Sequence, residues 1–210
     1  MRGWTVLALA GAVVATASVL ADSAPSGSPE GMVGPVYDAA GALIRPEGYR
    51  EWIFVGSSLG LNYSKPNPDA TSGPGMFHHI YIQPEAYKHY RDTGEFPEKT
   101  MLVMENYTAG SKEDNTATEL TQDKKEFENL NGHFEDRRLG VEVALKDSER
   151  FEDSWAYFNF STRAGLLPAA KAFPKAACFD CHQNHAAVDN VFVQFYPILR
   201  EAREDAAGGS

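Results

Sequence analysis

Five consecutive residues near the C-terminal end of this 210-residue chain constrain it more than any other feature. They read Cys178-Phe179-Asp180-Cys181-His182, the pattern C-x-x-C-H. Residues three apart lie on one face of a helical turn, so the two thiols are neighbours. They can form thioether bonds to the two vinyl groups of one porphyrin, while His182 offers an imidazole nitrogen to the iron. The motif therefore predicts one covalently bound haem c, held by Cys178, Cys181 and His182.

Other sites that use closely spaced cysteines fit the sequence less well. A thioredoxin-like C-x-x-C does not need the histidine, and it follows a first strand rather than lying near the C-terminus. An iron–sulfur cluster needs more thiolates than the two cysteines of this chain. A zinc site could use Cys178, Cys181 and His185, but this set would need another ligand from elsewhere. Two cysteines three positions apart also do not make a disulfide scaffold.

The N-terminus has the three-part pattern of a secretory signal. Arg2 precedes an uncharged stretch over residues 4–20 that is rich in Ala and Val, and Val19-Leu20-Ala21 supplies small residues at the cleavage position. We expect export to the periplasm and no membrane span after cleavage; an uncleaved N-terminal anchor is the alternative. The resulting organisation is signal peptide 1–21, flexible leader 22–48, haem domain 49–203 and disordered tail 204–210.

The formal net charge of the chain is −10 at neutral pH. An acidic surface of this kind argues against nucleic acid or an anionic membrane as a partner. It leaves redox partner proteins with basic surfaces as candidates.

The secondary-structure pattern before the motif is mainly that of strands. Runs rich in aromatic and β-branched residues predict strands at 52–56, 76–83, 100–107, 139–146 and 155–161. Helices are predicted at 85–91, 164–173 and 197–203, a long exposed loop at 110–132, and a strand at 191–195. The sum is an α+β domain: a mainly antiparallel sheet with a few short helices, and the haem-binding helical turn near the C-terminus.

Several segments, taken in order, resemble the cytochrome P-460 family, which includes the cytochromes c-prime-beta. They are 49–56 (YREWIFVG), 81–87 (YIQPEAY), 94–97 (GEFP), 146–151 (KDSERF), the C-x-x-C-H motif and 191–199 (VFVQFYPIL). The resemblance implies a mainly antiparallel β fold that forms a homodimer, with a proximal His182 and an open distal side of the haem. Members with a lysine cross-linked to the porphyrin oxidise hydroxylamine. Members without it have an aromatic-lined distal pocket and bind nitric oxide and similar small ligands.

This sequence departs from the cross-linking members at one position. Their lysine precedes a Glu on the strand predicted at 100–107, and the corresponding pair here is Met104-Glu105. Lys99 is a poor substitute because period-two alternation places it on the opposite face of the strand. A methionine thioether opposite a proximal histidine makes the six-coordinate iron of electron-transfer cytochromes. Met104 is therefore predicted as the second axial ligand; the alternative is a core methionine that lines an open pocket.

Other residues are weaker candidates for the distal side. Met76 is an alternative thioether, and His78 or His79 could supply a second imidazole. Glu142 is a carboxylate on a strand near the distal side that could relay protons, although a solvated or salt-bridged role is commoner. Phe54 and Phe77 are candidates for shaping the pocket.

Three functions follow from these assignments. The first is a periplasmic electron-transfer cytochrome with His182/Met104 ligation and no substrate of its own. The second is a five-coordinate protein that binds small gas ligands such as nitric oxide, with Met104 only lining the pocket. The third is a haem oxidoreductase, either a hydroxylamine oxidase or a peroxidase, which needs an open distal position and a proton relay.

Overall fold

The computed structural model describes residues 27–61, 73–111 and 131–208. The predicted signal peptide and most of the predicted loop at 110–132 lie outside these residues. No helix of the described part is long and apolar enough to cross a membrane.

A five-stranded antiparallel sheet forms the centre of the domain. Neighbouring strands are consecutive in the chain, in the order β2-β3-β4-β5-β6. The strands are β2 (Ile53–Leu59), β3 (Met76–Ile82), β4 (Met101–Gly110), β5 (Phe134–Lys146) and β6 (Trp155–Asn159). With the short helices described below, this confirms the predicted α+β class.

The sheet separates two hydrophobic cores because side chains alternate between its faces. On β4, Leu102 and Met104 contribute to the core that also contains both cysteines. Met101 and Val103 point to the other core, where Val103 is completely buried. The alternation predicted for this strand is therefore present, and it decides which residues can face a cofactor.

Three short helices cover the first of these cores. Helix α1 (Pro84–Thr93) has proline in its first turn and ends at Gly94, whose φ of 78° is the left-handed conformation that glycine adopts readily. Helix α2 (Phe179–His185) carries most of the C-x-x-C-H motif, and α3 (Pro197–Gly208) packs against α1. A side chain at Gly56 of β2 would place its Cβ 2.9 Å from Cδ1 of Tyr196, so glycine allows the residue just before α3 to approach the sheet.

Two secondary-structure predictions are wrong. The helix predicted at 164–173 is replaced by short strands: β7 (Ser161–Thr162) pairs with β8 (Gly165–Leu166), and β9 (Ala169–Ala170) pairs with β1 (Leu43–Ile44). Gly165 and Pro168 disfavour a helix there, and the pairing satisfies the backbone instead. The strand predicted at 191–195 is a bridge at Val191 followed by a 3₁₀ turn over Val193–Phe195.

Parts of the predicted leader and tail pack against the domain. Leu43, within the predicted flexible leader, is completely buried in the second core. Residues 204–208, within the predicted disordered tail, continue helix α3. In both places buried apolar side chains hold the segment against the domain. They are Leu43 at one end and Leu199 and Ala202 at the other.

Candidate haem site

An apolar cavity lies between the sheet and the C-terminal segment that carries the motif. Its empty space, open solvent included, is about 740 Å³. Cys178 and His182 lie on one side, and Met104 lies on the sheet that forms the other. The remaining wall residues used below are Glu142, Tyr157, Phe173, Asn190 and Phe192. The size and apolar lining are those of a site for a large, flat organic group.

His182 has its ring fixed in place. Its Nδ1 lies 2.8 Å from the carbonyl oxygen of Asn190. A carbonyl only accepts, so Nδ1 carries the proton and Nε2 keeps its lone pair. The ring lies between Tyr157 and Phe192, with ring centroids 4.4 and 4.5 Å away. Burial lowers the pKa of His182 despite its hydrogen bond to Asn190, which favours the neutral imidazole that a metal requires.

The loop that supplies the Asn190 carbonyl is anchored to the sheet. Asp189 accepts hydrogen bonds from Trp155 Nε1 at 2.9 Å and from Lys146 Nζ at 2.7 Å. Asp189 and Asn190 have φ values of 43° and 60°, a conformation that Asp and Asn tolerate better than most residues. The sequence interpretation missed these residues; the adjacent Asp-Asn pair was the signal for a left-handed turn.

The two cysteines lie at the start of α2 and are not joined in a disulfide. Both are partly buried; Cys178 lines the cavity, and Cys181 packs against the same core. Burial raises the pKa of Cys178, and the nearby Glu142 carboxylate adds to the effect. Among the described residues, no group of three or more His, Cys, Asp or Glu side chains is placed to hold a metal ion. The zinc alternative with His185, which is exposed, therefore finds no ligand set there.

Met104 lies in the middle of the sheet wall. It is paired with Ile80 on β3 and with Glu142 on β5, and its side chain is partly buried against the core that includes both cysteines. Lys99 does not line the cavity: its amine pairs with Asp147 and Glu149. The thioether, rather than the nearby amine, is thus the group that this strand presents to the cavity.

Glu142 is the acidic residue of the cavity wall. It accepts a hydrogen bond from Asn159 Nδ2 at 3.3 Å, and no cation among the described residues pairs with it. Burial raises its pKa. The carboxylate is therefore not salt-bridged within the described part, and its surroundings favour its protonated form more than water does.

Glu142 apart, the weaker sequence candidates do not line the cavity. Met76 is 41% exposed, and Phe54, 47% exposed, lies on the opposite face of the sheet beside Tyr81. His78 contacts Ser58, and His79 lies 3.1 Å from Glu135. Phe77 stacks on His79 and is likewise absent from the cavity wall. The suggestion that Phe54 and Phe77 shape the pocket is wrong, because strand alternation directs both to the other face.

The residues present fit a haem. A histidine with a free Nε2 lies on a wall of an apolar cavity, with a thiol beside it and a second thiol in the same helix. Fold and site together define a haem-binding c-type cytochrome. The model of the Cytochrome P460 family matches residues 46–193, and the chain belongs to this family. No curated protein matches the chain significantly. The resemblance noted from the sequence segments is confirmed.

Proposed function

We propose that this protein is a periplasmic mono-haem c-type cytochrome that transfers electrons. Cys178 and Cys181 hold one haem through two thioethers, His182 is the proximal ligand, and Met104 is the distal ligand. When bound, the haem supplies a centre that gains and loses one electron. The chain itself binds and orients that centre and excludes water from it.

The observation that supports the proposal is that a histidine and a methionine, on the helical and the sheet side respectively, line one cavity. His182 lies on the helical side with its Nε2 available. Met104 lies on the sheet side. The family resemblance places it where the cross-linking members have lysine. A thioether opposite an imidazole favours Fe(II) and leaves no coordination position for a substrate, which is the arrangement of an electron carrier.

Absorption spectra of the haem-loaded protein test this ligation. The wild-type ferric protein should be low-spin and show a weak far-red band from iron–thioether bonding. Met104→Leu keeps the volume but removes the sulfur, so it should lose this band and become high-spin. Met76→Leu is the matched control and should keep the wild-type spectrum, because Met76 is exposed and outside the cavity.

An unchanged spectrum in Met104→Leu would remove Met104 as the ligand. A high-spin wild-type spectrum that responds at once to nitric oxide would also overturn the electron-transfer proposal. Loss of the far-red band in Met76→Leu instead would assign the thioether to Met76.

Glu142 is the observation that favours a second candidate function. A partly buried carboxylate with a raised pKa, next to Met104 and without a cationic partner among the described residues, is a group that can hold and release a proton inside the cavity. The alternative is therefore a five-coordinate cytochrome that binds nitric oxide, or an enzyme that oxidises hydroxylamine or reduces peroxide. Met104→Ala frees space on the sheet side of the cavity, whether Met104 is a ligand or only lines the pocket. If Glu142 is a proton relay, adding Glu142→Gln to that variant should slow peroxide turnover about a hundredfold.

Export and assembly belong to the same proposal. The basic, apolar and small-residue segments of residues 1–21 support a cleaved signal peptide, and the family resemblance supports a homodimer that meets redox partner proteins in the periplasm. Mass spectrometry of the protein from a periplasmic extract should show loss of the first 21 residues, and light scattering should give twice the protomer mass. Retention of residues 1–21 would support an N-terminal anchor, and a monomer mass would refute the dimer.

A further inference from the structure

A second cavity lies on the side of the sheet away from the haem site, and arginine dominates its polar lining. Arg45, Arg50 and Arg138 line it, and Glu47 is the acidic residue among its described lining residues. Its empty space, open solvent included, is about 530 Å³. We call it the arginine cavity. Tyr49, also in its wall, belongs to the second hydrophobic core and not to the core around the cysteines.

Two arginines of this cavity already bind one carboxylate of the chain itself. Glu105 is 1% exposed and accepts hydrogen bonds from Tyr49 Oη at 2.9 Å, Arg50 Nε at 3.1 Å and Arg138 Nη1 at 3.3 Å. These bonds fix the two guanidinium groups. Each guanidinium has five N–H donors, more than Glu105 uses. The arginine side chains remain 56% and 42% exposed, so their other donors are accessible from solvent.

Arg45 is the unusual member of the set. It is partly buried, yet it makes no salt bridge with any residue of the described part. It also borders a neighbouring apolar cavity that contains Trp52. Its guanidinium donors are therefore available to an anion from outside the chain.

The local charge balance agrees with an anion. Among the described residues of this region, three guanidinium groups lie beside two carboxylates, Glu47 in the wall and Glu105 bonded to Arg50 and Arg138. This leaves one positive charge, on a chain whose net charge is −10. We infer that the arginine cavity binds a small oxyanion, a phosphate or a carboxylate, through Arg45 and the remaining donors of Arg50 and Arg138. Guanidinium groups suit this ligand because their planar, paired N–H groups match two oxygens of one anion. This site goes beyond the proposed electron transfer and does not depend on it.

Calorimetric titration of the haem-loaded chain with inorganic phosphate tests the inference. A parallel titration uses acetate, and both are done at the same ionic strength. We expect saturable binding with one site per chain for at least one of the two anions. Arg45→Gln should weaken it about tenfold, since it removes charge-assisted hydrogen bonds. Arg203→Gln, which removes the same charge from the exposed surface of α3, is the control and should bind as the wild type does. Trp52 fluorescence gives a second readout next to Arg45.

Binding of phosphate alone or acetate alone, weakened in Arg45→Gln and kept in Arg203→Gln, supports the site and identifies the preferred anion. Unchanged binding in Arg45→Gln overturns it. Absence of saturable binding of both anions to the wild-type chain overturns it. Equal weakening by Arg45→Gln and Arg203→Gln also overturns it, because that result reports general charge screening and not a site.

Discussion

Asp189 should control both the stability of the domain and the chemistry of the proximal ligand. In Asp189→Ala, the indole N–H of Trp155, a residue only 3% exposed, loses its acceptor at 2.9 Å. A buried donor left without a partner costs about 1–3 kcal/mol. The partly exposed ion pair with Lys146 adds up to about 1 kcal/mol, since Lys146 keeps its bond to the Phe96 carbonyl. We therefore expect a loss of about 3 kcal/mol in the free energy of unfolding.

Equilibrium urea unfolding of the haem-loaded protein measures this loss. Asp153→Ala is a matched control: it removes one carboxylate from the exposed pair with Lys175 and should cost less than about 1 kcal/mol. Displacing the loop should also weaken the Asn190–His182 hydrogen bond, make the imidazole a poorer electron donor, and raise the reduction potential. If Asp189→Ala and Asp153→Ala unfold at the same urea concentration and have the same potential, the anchoring role of Asp189 is refuted.

Two further predictions concern the sheet. Burial acts to raise the pKa of Glu105, but hydrogen bonds from Arg50 and its neighbours outweigh it and the pKa is lowered. The stabilisation by the Glu105 carboxylate is therefore present above its pKa in the unfolded chain and is lost as the pH falls through its pKa in the folded protein. Glu105→Gln should cost about 3 kcal/mol of unfolding free energy at neutral pH and progressively less in acid. A cost that does not change with pH in unfolding experiments would contradict this. Gly140→Ala would put a Cβ 1.9 Å from Ser161 Oγ and should lower the free energy of unfolding by about 2 kcal/mol. The control Gly34→Ala, whose Cβ would have nothing within 4 Å, should leave the melting temperature unchanged. Equal melting temperatures of the two variants would contradict the clash.

The strands of the sheet were predictable because each carries its own local pattern. The runs that became β2 to β6 are rich in aromatic and β-branched residues, and helix α1 has proline at its start and glycine at its end. Residues 164–173 misled the prediction because they are rich in alanine and leucine. Their pairing partner in β1 is far away in the sequence, and local propensity cannot report it.

The candidate site was predictable only where chemistry depends on residues close in sequence. The C-x-x-C-H motif is such a case, and Met104 was found through the family resemblance and strand alternation. The residues that support His182 were not predictable. Tyr157 contacts its ring from the sheet, while Trp155 and Lys146 hold the loop through Asp189. Asn190 acts through its backbone carbonyl, which is the same in every residue type. A side chain's identity gives no sign of such a role.

The two proposed ligands are held in place by different parts of the fold. Met104 belongs to the central strand of the sheet, bonded on both sides to β3 and β5. The next residue, Glu105, turns to the opposite face, where Tyr49, Arg50 and Arg138 hold it. The strand is thus fixed by its neighbours and by an ion-pair cluster behind it, and a site built on such elements is better defined than one on a loop. His182 is fixed separately, by the Asn190 carbonyl and two rings. Independent anchoring of the two sides favours a coordination that stays the same in both oxidation states, which suits electron transfer better than the exchange of a distal ligand.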